Sequence, residues 1–135
     1  MANVSAVKSK TFGAASADTN AICANQTNSG AGSMTLTDTG KNGVLVPGNL
    51  GTTITITSTT GTTNSGITFD VTGMDINGDS VTEATITGPA GSTFVTGSTV
   101  FVSVTGITHS GTCTDVEIGT TATTTGTGVV FAGRT

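Results

Sequence analysis

Short runs of alternating apolar and polar residues recur along most of the chain. "SMTLTDTG" alternates at Met34 and Leu36, "TTITITST" at Ile54 and Ile56, and "SGITFDV" at Ile67, Phe69 and Val71. "GSTVFVSV" places Val100, Val102 and Val104 on one face, and "TDVEIGT" does the same with Val116 and Ile118. "NGVLVPG" and the closing "GVVFAG" are short continuous apolar runs. Each run is bounded by Gly, Asn or Pro, which is the signature of short strands joined by tight turns. No stretch carries an i, i+3, i+4 stripe of helical length. The pattern therefore predicts an all-β, single-domain antiparallel β-sandwich or barrel. Residues 1–33 have single apolar positions (Val4, Val7, Phe12, Ile22) without a sustained period. They read as an N-terminal arm or loosely patterned extended segment, leaving 34–135 as the β domain.

The stretch "VTGMDINGDSVTEATITGP", Val71 to Pro89, carries the clearest local signal. Asn-Gly between alternating runs predicts a two-residue type I′ hairpin, because that turn needs positive φ at both central positions. With Asn77 and Gly78 in the turn, Met74 faces Val81, Thr72 faces Glu83, Val71 faces Ala84 and Phe69 faces Ile86. At the base Phe69, Val71, Ala84 and Ile86 form the apolar face. Beyond Gly73 the apolar residues are Met74, Ile76 and Val81, on the opposite side. A bulge at Gly73 would re-aim the strand. Otherwise the tip exposes an apolar surface, so Met74, Ile76 and Val81 are candidate contacts with another subunit.

Composition sharpens the picture. Charged residues are only 9% of the chain, and Thr and Gly (20 residues) dominate. Thr favours strands, and scarce Lys and Glu weigh against helix. The basic residues are Lys8, Lys10, Lys41 and Arg134, too few for a phosphate-tracking surface, so no nucleic-acid partner is expected. No run is long enough for a transmembrane helix, and "MANVSAVKSKTFG" has no apolar signal core. Folding in a cytoplasm is the expectation, and it favours free, buried thiols at Cys23 and Cys113. Spacing alone leaves a disulfide between them open. Half of the positive charge sits at Lys8 and Lys10, so these residues, with Phe12 as an apolar anchor, are candidate docking contacts of the arm.

Candidate chemistry is sparse. "DINGD" matches the start of a calcium loop, but its twelfth position is Ile86 rather than a bidentate acid. Asp70 and Glu83 fall diagonally on one hairpin face and could form an acid/base pair. The chain has no Trp or Tyr to build a sugar platform, however, and solvated surface acids are the default. His109 lies four residues before Cys113 without further ligands at usable spacing, and reads as a polar residue on a strand edge. No metal or cofactor is expected, and no nucleophile or phosphate-loop motif is present, so the expectation is not an enzyme.

"VTGMDINGDSVTEATITGPAGS" followed by "VFVSVTGIT" resembles a pattern of small virion structural proteins of tailed bacteriophages. There a TG-D-NG segment with a following Glu and Gly-Pro precedes a strand like F-x-x-V-T-x-I. The resemblance spans roughly residues 67–120 and is carried by the ordered NG, Glu, GP and VT elements. Several such proteins are head decoration, or cement, proteins: β-rich, often trimeric, added to the outside of an assembled capsid. The resemblance implies a homotrimer that binds the major capsid protein and bridges neighbouring shell subunits. Its place would be the virion surface after synthesis in the host cytoplasm, with no membrane partner. The alternatives are a tail or fibre component or an adhesin-like surface-binding module, and, last, a small hydrolase or lyase on a β scaffold. No catalytic residues come with the resemblance.

Overall fold

The computed structural model describes residues 8–12, 17–37, 51–121 and 126–130. Within them the chain forms ten strands and no helix: β1 (Lys8–Phe12), β2 (Asp18–Asn28), β3 (Gly32–Ser33), β4 (Ile54–Ser58), β5 (Thr68–Met74), β6 (Ser80–Thr87), β7 (Phe94–Thr96), β8 (Ser103–His109), β9 (Cys113–Thr120) and β10 (Gly126–Val130). Two four-stranded sheets run in the orders β2-β9-β4-β7 and β3-β8-β5-β6, and β1 pairs with β10 in a separate two-stranded sheet. All these pairings are antiparallel. The expected all-β sandwich is the observed fold.

The core lies between the two four-stranded sheets. Ile54, Ile56, Val116 and Ile118 come from one, and Phe69, Val71, Val104 and Ile107 from the other; Phe101 fills the space beside them. All are essentially inaccessible to solvent. Each such side chain contributes about 1.5–3 kcal/mol of transfer free energy. Alternation explains the arrangement. On β4, Ile54 and Ile56 point inward, and on β5 Phe69 and Val71 do, leaving most threonines on the outer faces.

β5 stays regular while both of its neighbours bulge. Against β6 the register is Phe69↔Ile86 at the base, then Val71↔Glu83, Gly73↔Val81 and Met74↔Ser80. β6 therefore carries one extra residue at Ala84–Thr85, where Thr85 has φ 59° and donates its amide to an Asp70 carboxylate oxygen at 2.7 Å. Against β8 the register changes between Thr72↔Gly106 and Gly73↔Val104. An extra residue in β8 thus moves its inward positions from Ile107 to Val104. The expected re-aiming device near Gly73 exists, but it lies on the partner strand.

One expectation about the chain's early residues is corrected. Residues 18–33 are not part of an arm. β2 is an edge strand on β9, with Ile22 and Cys23 buried in the core, and β3 pairs with β8. Adjacent residues are buried because β2 is repeatedly bulged against β9, which destroys period two and hides the strand from the sequence. The segment after β3 returns along β2: the Thr37 amide donates to Ile22 O at 2.8 Å, and the Ala24 amide donates to the Thr37 hydroxyl at 3.0 Å. The two cysteines are free. Cys23 faces Ile118 and Cys113 faces Asn28, so they sit five residues apart along β9, roughly 16 Å at about 3.3 Å per residue. Burial pushes the Cys23 thiol up to about 12. The apolar run at 42–48 lies outside the described residues.

Candidate functional site

The β5–β6 hairpin ends in a loop built around one aspartate. The Gly78 amide donates to Asp75 O at 3.1 Å, and the Asp75 amide donates to Asp79 O at 3.0 Å. Asp75 Oδ1 accepts the amides of Asn77 at 2.8 Å and Asp79 at 3.0 Å. Gly78 has φ +84°, while Asn77 is not among the residues with positive φ. The loop is therefore a three-residue connection, Ile76–Gly78, closed by a left-handed glycine, and not the expected two-residue type I′ turn. The physical reason is the Asp75 side chain. It satisfies two loop amides at once, which favours the longer loop over one needing positive φ at Asn77. The hydrogen bond from the Asp79 amide, followed by those from Asn77, holds the Asp75 carboxyl below the usual aspartate range.

One residue of extra loop shifts the tip register by one and changes which side chains meet. Met74 is opposite Ser80, not Val81. Met74 is 42% and Ile76 65% exposed, whereas Val81 packs against the core. Of the three apolar tip residues expected at an interface, the structure leaves two on the surface and turns the third inward. Gly73 is also buried, on the same inward face as Val71. A Cβ there would come within 2.9 Å of the Phe101 ring and 2.0 Å of Ser103 O. Thus β5 does not switch faces at Gly73. The parity change belongs to β6, where Val81 and Glu83 give way to Ile86 through the bulge.

The acids expected to pair lie on opposite faces. Asp70 is outward and holds the Thr85 amide. Glu83 is opposite Val71, at the sheet edge, and reaches the loop after β7. Its Oε1 accepts the Ser98 amide at 2.7 Å and the Ser98 hydroxyl at 2.9 Å, and its Oε2 accepts the Thr99 amide at 3.0 Å. Burial pushes the Glu83 carboxyl up, but these hydrogen bonds together outweigh it and hold the group below its ordinary value. Glu83 thereby ties the edge of one sheet to the loop leaving the edge of the other. The diagonal acid/base pair on a common face is not formed, because the bulge at Ala84–Thr85 separates the two positions. Among the described residues no group of three His, Cys, Asp or Glu side chains is placed to hold a metal ion.

His109 is not on a strand edge. It sits in β8, between β3 and β5, and is 4% exposed. Its Nδ1 lies 2.7 Å from Gly111 O, its ring centroid lies 6.3 Å from that of Phe69, and its Nε2 has no hydrogen-bond partner among the described residues. Lys8, Lys10 and Phe12, the expected docking residues, fall in β1, where their backbone partners on β10 are Val130, Gly128 and Gly126. Sequence reasoning missed Asn64, which is buried and fastens a loop to β9. Its amide nitrogen donates to Thr114 O at 3.0 Å, and its side-chain oxygen accepts the Thr114 amide at 2.9 Å. It also missed Phe94, which is 66% exposed on β7 beside the half-buried Val95. The strand's alternation was the available signal. Val100, which alternates with Val102 and Val104 in its run, is also exposed, because Phe101 takes the inward position.

No protein-family model matches the chain, and no curated protein or solved structure matches it.

Proposed function

We propose that this chain is a structural binding protein: a decoration, or cement, protein on the outer surface of a tailed-phage head. It binds the major capsid protein as a homotrimer and adds contact area across joints between shell subunits. The observation that carries this reading is the hairpin tip. Met74 and Ile76 are held outward at the end of a loop fixed by the Asp75 carboxylate. An apolar surface ordered before binding loses little conformational freedom on contact, so more of its burial appears as affinity. The carboxylates of Asp70, Asp75 and Glu83 are each engaged with backbone amides of neighbouring loops and bulges. That is the use of acids in a scaffold. The phage assignment itself rests on the resemblance of residues 67–120 to virion structural proteins.

The test mixes the protein with purified, DNA-filled heads that lack tails and lack this chain, and measures the fraction that cosediments. Saturable binding to heads, weakened by Met74→Asp or Ile76→Asp without loss of the β circular-dichroism spectrum, is expected. Binding to isolated tails and not to heads would move the protein to a tail or fibre. Sedimentation of the free protein should give a trimer mass; a monomer at working concentration would remove the oligomeric part of the proposal.

A further inference from the structure

The hairpin tip also carries a covalent liability. Asn77 and Gly78 are both exposed, and no atom of the described residues lies within 4 Å of the place where a Gly78 side chain would be. An asparagine followed by glycine is the pair least hindered against ring closure. The backbone nitrogen of Gly78, after losing its proton, attacks Cγ of Asn77. An N–Cγ bond forms, ammonia leaves, and a five-membered succinimide results. Water then opens either carbonyl. Cleavage of the new N–Cγ bond gives aspartate at position 77. Cleavage on the other side gives isoaspartate, in which the chain runs through Cβ and Cγ. The net change is one water in and one ammonia out, with no oxidant or reductant.

The same geometry restrains that reaction. The attacking nitrogen is engaged, since the Gly78 amide donates to Asp75 O at 3.1 Å. The Asn77 backbone amide is held by Asp75 Oδ1 at 2.8 Å, and its side-chain Nδ2 lies 3.4 Å from Asp75 Oδ2. Ring closure requires Gly78 N to leave Asp75 O, and the adjacent carboxylate disfavours the negative charge that develops on that nitrogen. We propose that Asn77–Gly78 is a spontaneous deamidation site and that Asp75 is the residue that sets its rate by clamping the loop. Deamidation places a third carboxylate beside Asp75 and Asp79. The isoaspartate form adds a backbone atom to a three-residue loop and breaks the turn that presents Ile76.

The experiment incubates the full chain at mildly alkaline pH and follows Asn77 by peptide mapping and mass spectrometry, which separates it from the Asn42–Gly43 pair. The native chain, the native Asp75→Ala variant and the wild-type chain unfolded in denaturant are compared, with native Asp75→Asn as an intermediate case. Conversion at Asn77 is expected in every sample. The Asp75→Ala variant keeps the backbone carbonyl at position 75 but loses the side-chain hydrogen bond to the Asn77 amide, and it should react about fivefold faster than the native wild type, the factor carried by one such net hydrogen bond. Circular dichroism checks that the variant is folded. Asp75→Asn, which keeps a side-chain oxygen to accept the Asn77 amide but removes the charge, should fall between the two. An unchanged rate in both variants would overturn the role of Asp75. An Asn77 that stays intact in the native chain while the unfolded chain converts would overturn the site.

Discussion

Gly73→Ala is the sharpest test of how the sandwich is packed. The added methyl would stand 2.0 Å from Ser103 O, 2.9 Å from Phe101 Cδ1 and 3.0 Å from Ser103 C. Ordinary contact begins near 3.4 Å, so β8 must move away from β5 by about an ångström or more. The nearest atom is backbone, and the ring behind it is fully buried, so neither can swing aside. Overpacking of this kind costs about 1–3 kcal/mol. Weakening the ladder at Gly73↔Val104 and Met74↔Ser103 adds about 0.5–1.5 kcal/mol for each hydrogen bond lost. The reduced freedom of the unfolded chain returns about 0.4–1 kcal/mol. The net expectation is a loss of roughly 2–3 kcal/mol, or about 6–15 °C in Tm for a domain of this size. Thermal circular dichroism and urea unfolding with an unchanged slope would measure it. Gly66→Ala is the control, because among the described residues nothing lies within 4 Å of its added methyl and its φ is not positive. It should be neutral or slightly stabilising. If Gly73→Ala melts with wild type while Gly66→Ala behaves as expected, β8 does not press on β5 as described.

Three further outcomes follow. Glu83 has a folded-state pKa below its ordinary value, so its contribution to stability is present above the ordinary glutamate range and is lost as pH falls through the depressed folded value; Glu83→Gln should flatten the acid limb of the stability–pH curve, and an unchanged limb would discount the tie to Ser98 and Thr99. A native-state thiol assay should leave Cys23 and Cys113 unlabelled until denaturant is added, because both are fully buried; prompt labelling of either would contradict their place in the core. A chain beginning near Gly30 lacks β2, leaving one side of β9 unpaired and the core without Ile22 and Cys23, so it should lose its cooperative melt; a sharp transition at the wild-type temperature would show that β2 is dispensable.

The central strands were legible because their alternation is unbroken. Ile54 and Ile56, and Phe69 and Val71, face inward as period two requires. β2 was not, because its bulges bury two consecutive residues, a pattern no periodic reading detects. The hairpin at Asn77–Gly78 was visible, but its loop length was decided by the Asp75 carboxylate, whose hydrogen bonds form only in the folded turn. The change of apolar face along the hairpin was also visible in the residues. Its assignment to both strands failed because Gly73 has no side chain to reveal that it occupies the inward position, kept free for Phe101. Glu83 left no local signal, since its partners arrive from a loop fifteen and sixteen residues later.

The bulge in β6 has a consequence for the protein in concentrated solution. β6 is the outer strand of its sheet and presents a row of backbone groups with no neighbour within that sheet. A straight edge of that length is a template on which another extended chain can add, the first step toward fibrils. Here the row is broken at Thr85, whose backbone is left-handed and whose amide is turned back to Asp70. An incoming strand would lose register halfway along and find one donor already taken. Removing the kink, for instance by deleting Thr85 to restore an even count against β5, would straighten the edge. It would leave a sandwich prone to self-templated aggregation.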